Sequence, residues 1–240
     1  MNLVIDQGNT RLKAAVFDGD KIVKVIITDA DDIQWMQDLC HRFKLDKGIM
    51  SSVGDTSDKL LEMLRIKLTQ FVWFDDTTCV PLQVAYKAEL GRDRLAAAVG
   101  ARYLRPDENI LVIDAGTAIT YELVEQHGVY VGGNISPGMT MRFRALSQFT
   151  KRLPLVAAEC ENVPLVGFDT ETAILSGVVN GIAFEMDGYI DLFKAKYGDV
   201  FVFLTGGNSF YFEKRIKNQT FADANLVLIG LNRILEYNAK

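Results

Sequence analysis

The segments Leu3-Val4-Ile5-Asp6-Gln7-Gly8-Asn9-Thr10 and Leu111-Val112-Ile113-Asp114-Ala115-Gly116-Thr117-Ala118 are two copies of one pattern. In each, an apolar, β-branched run ends at an aspartate, a glycine permits a tight turn, and short polar or small residues follow before apolar and polar residues alternate again. Each copy predicts strand, turn, strand. Either copy alone reads equally well as an ordinary hairpin, and the recurrence in register is what argues for a duplicated fold. Such a turn presents consecutive backbone N–H groups to an anion, while the aspartate beside it repels phosphate unless a cation lies between. Two of them suggest a nucleotide and its metal held in a cleft.

The duplication favours two domains, and 240 residues at 49% hydrophobic are enough to give each a core. Arg105-Pro106-Asp107-Glu108-Asn109 breaks a helix and sets the boundary near residue 108, giving domains 1–108 and 109–240. A net charge of −5 with no block of Lys and Arg gives no general attraction to nucleic acid or to an anionic membrane, so neither partner is expected and a small polar ligand is. Cys40, Cys79 and Cys160 are odd in number and scattered, which supports neither a disulfide framework nor structural zinc and points to a cytoplasmic protein. The N-terminus opens on a strand rather than a signal core, and no apolar run is long enough to span a bilayer.

Periodicity predicts a third strand at Lys21 to Thr28 and a helix from Asp31 to Phe43 with Trp35, Leu39 and Phe43 on one face. A buried strand at Gly48 to Val53, a helix from Asp58 to Leu68, a short strand at Phe71 to Phe74 and an Ala-rich helix from Asp93 to Leu104 complete the first half. The second half repeats the plan. A meander from Ile110 to Val131 and a turn-rich segment from Gly132 to Gly138 lead to a helix, a strand at Val200 to Leu204, a Gly206-Gly207 turn and further helices.

A strand entering a Gly-Gly turn lets backbone approach a base or phosphate closely, and with the two hairpins it resembles the actin, Hsp70 and sugar-kinase superfamily. Within that superfamily, Gly91-Arg92-Asp93-Arg94 after Tyr86, Gly132-Gly133-Asn134-Ile135-Ser136-Pro137-Gly138, and Thr170-x-x-Ala173 resemble the type III pantothenate kinases from end to end. Lys87 and Ala88 depart from relatives that often carry a proline near Tyr86, which loosens the placement of the substrate loop.

That resemblance implies a duplicated ribonuclease-H-like, actin-like ATPase fold with an interdomain cleft, and ATP-dependent phosphorylation of pantothenate at the first step of coenzyme A synthesis. It implies Asp93 as the catalytic base, against a plain helix N-cap. Asp6 would face the magnesium that accompanies ATP, through water. Asp114 would hold a monovalent cation, potassium or ammonium. Asp6, Gln7, Gly8, Asn9, Thr10, Arg11, Leu12 and Lys13 would form the ATP and phosphate site with Thr117 from the second half, with a solvent-facing strand residue as the alternative reading of Lys13. Tyr86, Gly91, Arg92, Asp93, Arg94 and Thr170 would bind pantothenate, with the Arg94 guanidinium suited to its carboxylate. Members are homodimers, so a homodimer is expected. His41 and His127 read as surface residues, and Met139 and Met141 as packing. Two alternatives stand beside this one: a non-catalytic accessory transcriptional regulator of the same family, and another small-molecule kinase of the superfamily.

Overall fold

The computed structural model describes residues 1–8, 11–28, 34–54, 56–86, 89–157 and 162–239. Asn9, Thr10, Lys87, Ala88, Cys160 and the expected helix start at Asp31 lie outside the described residues. In chain order the elements are β1 (Asn2–Gln7), β2 (Leu12–Asp18), β3 (Lys21–Thr28), α1 (Gln34–Arg42), β4 (Lys47–Ser52), α2 (Asp58–Lys67), β5 (Gln70–Trp73), β6 (Gln83–Val84) and α3 (Arg92–Leu104). They continue with β7 (Asn109–Ala115), β8 (Ala118–Val124), β9 (Val129–Pro137), α4 (Met139–Phe149), α5 (Thr170–Tyr197), β10 (Val200–Thr205), α6 (Ser209–Glu213), β11 (Phe221–Ala222) and α7 (Leu226–Asn238). Two compact units result. The first comprises Met1–Pro106, Gly128–Tyr130 and Asn225–Lys240, the second Asp107–His127 and Val131–Ala224.

In the first unit the strand order is β3-β2-β1-β4-β5, with β1 antiparallel to β2 and parallel to β4. In the second unit the order β9-β8-β7-β10-β11 repeats it, with β7 antiparallel to β8 and parallel to β10. Third, second, first, fourth, fifth strand: the duplication seen in the sequence is a duplication of topology. Both faces of the first sheet are covered, which explains the unbroken apolar runs of β1 and β4. Leu3, Ile5, Leu12, Ala14 and Met50 pack on α1 and α2. Val4, Ala15, Phe17 and Ile49 face α3 and α7.

The boundary at 108 assigns residues 225–240 to the second half, whereas by packing they sit in the first unit. The reason is the small-residue face of α3. Ala96, Val99 and Gly100 let α7 approach so closely that a Cβ at Gly230 would stand 1.8 Å from the Ala96 carbonyl oxygen. Residues 132–137, expected to be turn-rich, are the body of β9. Glycines inside a strand pass for turn residues when only the sequence is read. In the second unit α5 runs for 28 residues, and its Ile174, Val178, Ile182, Met186 and Ile190 join Leu111, Ile113 and Leu204 in the core. Among the described residues no helix is long and apolar enough to cross a membrane.

Candidate active site

Strand alternation decides which side chains of the first unit can meet. Asp6 shares its face with Val4, and its cross-strand neighbour Lys13 shares one with Ala15 and Phe17, so both belong to the face covered by α3 and α7. Asp93, near the start of α3, is close enough for its charge to act on Asp6. Burial pushes the Asp6 carboxyl up to about 6, the Asp93 carboxylate adds to the rise, and Lys13 opposes it. Lys13 therefore stands beside the acidic pair. Parallel register sets Ser51 of β4 next to Asp6, and Ser51 is fully buried with no hydrogen-bond partner for its hydroxyl. Nothing in the local sequence of the Gly48 to Val53 strand singles out Ser51, and only the register of two separate segments brings it here.

The Gly91-to-Arg94 element opens α3. Gly91 occupies the N-cap position and Asp93 lies two residues on, its Oδ1 accepting the Arg94 backbone N–H at 2.9 Å. A Cβ at Gly91 would come within 2.8 Å of that Oδ1, so glycine keeps the carboxylate clear. Arg94 is 8% exposed, and a charge so buried must find partners. It donates to the Tyr130 hydroxyl at 3.3 Å and lies 5.7 Å from the centre of the half-buried Tyr86 ring. Arg92 turns elsewhere, its guanidinium 3.4 Å from Asp76 Oδ1. The motif thus brings Asp93, Arg94 and Tyr86 together and leaves Arg92 at the side.

The residues of the first turn are placed as follows. The Gly8 N–H is committed to the Arg11 carbonyl at 3.0 Å and closes its own hairpin. Leu12 packs its side chain into the core among Leu3, Ile5 and Met36, on the face opposite Asp6, which leaves it only main-chain atoms for a phosphate site. Gln7 is buried, and its Oε1 accepts the Thr56 hydroxyl at 3.0 Å. Arg11 is exposed at the turn.

In the second unit the Gly116 N–H closes its turn on the Ala118 carbonyl at 3.1 Å, and Thr117 is exposed at the tip with its carbonyl accepting from Gly138. Asp114 is held in register between Thr120 and Thr205. A Cβ at Gly206 would lie 2.3 Å from Asp114 Oδ1, and the Gly206 φ of +88° is one that other residues rarely adopt. Asp169 caps α5 through a reciprocal pair with Thr172, so the exposed Thr170 hydroxyl lies outside that capping pair.

Among the described residues no three His, Cys, Asp or Glu side chains converge to hold a metal by themselves. Magnesium bound through phosphates and water does not require such a cage. The first unit fits it: a buried carboxylate whose ionisation a second carboxylate opposes, beside an orphaned hydroxyl, is an arrangement that a hydrated cation relieves. At Asp114 a carboxylate that Gly116 and Gly206 approach closely has the hard-oxygen character that suits an alkali ion.

The model of the type III pantothenate kinase family matches residues 2–192. The type III pantothenate kinase of Phocaeicola vulgatus is 46% identical over 242 residues, covering all of both chains. That of Porphyromonas gingivalis W83 is 43% identical over 240 residues, covering 99% of this chain and 98% of its own. Among solved structures, a conserved Campylobacter jejuni protein described as a Baf family transcriptional activator matches with a TM-score of 0.62 at 22% identity, over 99% of this chain and 98% of its own. A glucokinase from an Antarctic psychrotroph matches with a TM-score of 0.53 at 13% identity, over 98% of each chain. At such identities the two structures speak to fold alone, and the fold is that of the actin-like ATPases and sugar kinases.

Proposed function

We infer how the site works from one premise: the chain belongs to the type III pantothenate kinase family. It is an ATP-dependent kinase that phosphorylates pantothenate at the first step of coenzyme A biosynthesis. The observation that carries the assignment of roles is that Asp6 and Asp93 meet in one unit, the Asp93 charge opposing ionisation of Asp6, with the buried Arg94 next to Asp93 on α3. A structural helix start has no need of that arrangement, and phosphoryl transfer to an alcohol does.

Asp93 accepts the proton of the terminal hydroxyl of pantothenate as its oxygen bonds to the γ-phosphorus and ADP leaves. Arg94 takes the pantothenate carboxylate in a charge-assisted contact, with Tyr86 against its plane. Asn9, Thr10, Arg11 and Lys13 bind phosphate in the first unit, and in the second unit Thr117 is the phosphate residue and Thr170 a pantothenate residue. Asp6, through water, and Asp114 are the residues that would hold magnesium and a monovalent cation, whose chemistry is to offset phosphate charge. We assign the protein to the cytoplasm as a homodimer, with the apolar side chains that α5 leaves exposed, Phe184 and Leu192, as part of the contact. Neither nucleic acid nor membrane belongs among its partners.

The accessory-regulator reading draws on the Campylobacter likeness, which at 22% identity speaks only to fold. The intact set of Asp6, Asp93, Arg94 and Asp114 favours catalysis. A coupled assay of ADP release with and without pantothenate tests the function. Consumption of ATP that does not depend on pantothenate would replace this substrate with another acceptor.

A further inference from the structure

We propose that Tyr130 is a positioning residue for pantothenate specificity, holding both Arg94 and the Tyr86 segment in the arrangement that receives the substrate carboxylate. The proposal rests on the role given to Arg94 above.

Tyr130 is fully buried on β9, where a phenylalanine would pack as well, so its hydroxyl calls for a reason. That hydroxyl receives an N–H of the Arg94 guanidinium at 3.3 Å. The Tyr130 carbonyl accepts the Ala85 N–H at 3.0 Å, one residue before Tyr86, and the Gly128 carbonyl accepts the Gln83 N–H at 3.0 Å. The Tyr130 ring meets the Tyr86 ring edge to face, centroids 6.2 Å apart at 73°. β6 has only two residues, too few to hold the segment in place unaided, and its register on Val129 and Tyr130 is what fixes it. One residue therefore reaches the substrate segment through main chain and ring, and the guanidinium through its hydroxyl.

A long arginine side chain has many rotamers, and a neutral acceptor on one N–H selects among them. The hydroxyl brings no negative charge, so it orients Arg94 without competing for the charge that the substrate supplies. An aspartate in the same place would neutralise the guanidinium and abolish the preference for an acid.

The test compares wild type, Tyr130→Phe, Arg94→Ala and the double variant, each assayed with pantothenate and with an analogue whose carboxylate is a neutral amide. Tyr130→Phe is expected to raise KM for pantothenate about tenfold, the size of one lost hydrogen bond to a charged group. It should leave kcat and KM for ATP within about twofold and narrow the preference for the acid over the amide. In the Arg94→Ala background the Tyr130→Phe change should have no further effect on that preference. An unchanged KM, or equal losses in kcat and in ATP binding, would make Tyr130 a packing residue and overturn the proposal. If Arg94→Ala erases the acid preference and Tyr130→Phe does not, the proposal alone falls. If Arg94→Ala keeps the preference, the role of Arg94 falls and this inference with it. Tyr130→Met, which also fills the site without a hydroxyl, carries the same expectation should the phenylalanine variant fail to give a cooperative thermal melt.

Discussion

Asp93 acts on Asp6 across the first unit: burial and the Asp93 charge together push the Asp6 carboxyl up to about 6. An acid whose pKa rises on folding binds more protons folded than unfolded between those two values, so stability falls as pH rises through that window. From the ordinary value of 3.8 to about 6, the cost of an ionised Asp6 reaches roughly 3 kcal/mol at neutral pH. Asp6→Asn removes it. Without nucleotide or magnesium, that variant should melt several degrees above wild type at pH 8 and show a flatter stability profile between pH 4 and 6. Magnesium with ATP should raise the melting temperature of wild type more than that of the variant. A variant less stable than wild type at pH 8 would mean that Asp6 is not held against its own charge.

The base role of Asp93 is separable from its place in the helix. Asn keeps an oxygen for the Arg94 N–H, which Asp93 Oδ1 now accepts, but cannot take a proton from an alcohol. Asp93→Asn should therefore retain the melt and a KM near that of wild type while losing about 10² to 10⁴ in kcat. Turnover close to wild type would reduce Asp93 to a helix-terminus residue.

The second unit makes its own prediction. A monovalent cation at Asp114 would make activity fall when potassium or ammonium is replaced by sodium at constant ionic strength, a selectivity that screening cannot produce. Gly206→Ala should abolish the difference between salts along with most activity, because its Cβ would lie 2.3 Å from Asp114 Oδ1 at a strained φ. Equal rates in both salts would return Asp114 to a structural part in the turn.

What the sequence showed is what neighbouring residues decide. Two hairpins, an aspartate at each strand end and the Gly91 to Arg94 helix start are written in consecutive letters, and the strands and helices built from them formed where the periodicity predicted. Side-chain direction at the first turn was hidden because it depends on which sheet face is covered. With α3 and α7 on one side and α1 and α2 on the other, Leu12 goes to core while Lys13 stands beside Asp6. Ser51 and Tyr130 were invisible for a related reason: each reaches the site through pairing of segments distant in sequence. The same holds for α7, whose membership in the first unit rests on a glycine and a row of alanines whose purpose shows only when the helices meet.

That helix contact bears on function, because α3 carries Asp93 and Arg94 at its first turn and α7 buttresses the same helix. At Gly230 the backbones approach so closely that an added methyl would stand 1.8 Å from the Ala96 carbonyl oxygen and 2.9 Å from the Gly100 nitrogen. Backbone cannot yield as a flexible side chain does, so the two helices must separate. Gly230→Ala should cost at least about 1 to 3 kcal/mol of stability, the range for an overpacked core. Because the strain is passed to α3, the variant that still folds should lose activity beyond what its folded fraction explains, with KM for pantothenate rising as Arg94 shifts. Gly181→Ala is the control, since its Cβ would meet nothing within 4 Å. If Gly230→Ala melts and turns over like Gly181→Ala, the close approach of α7 does not set the position of the α3 start.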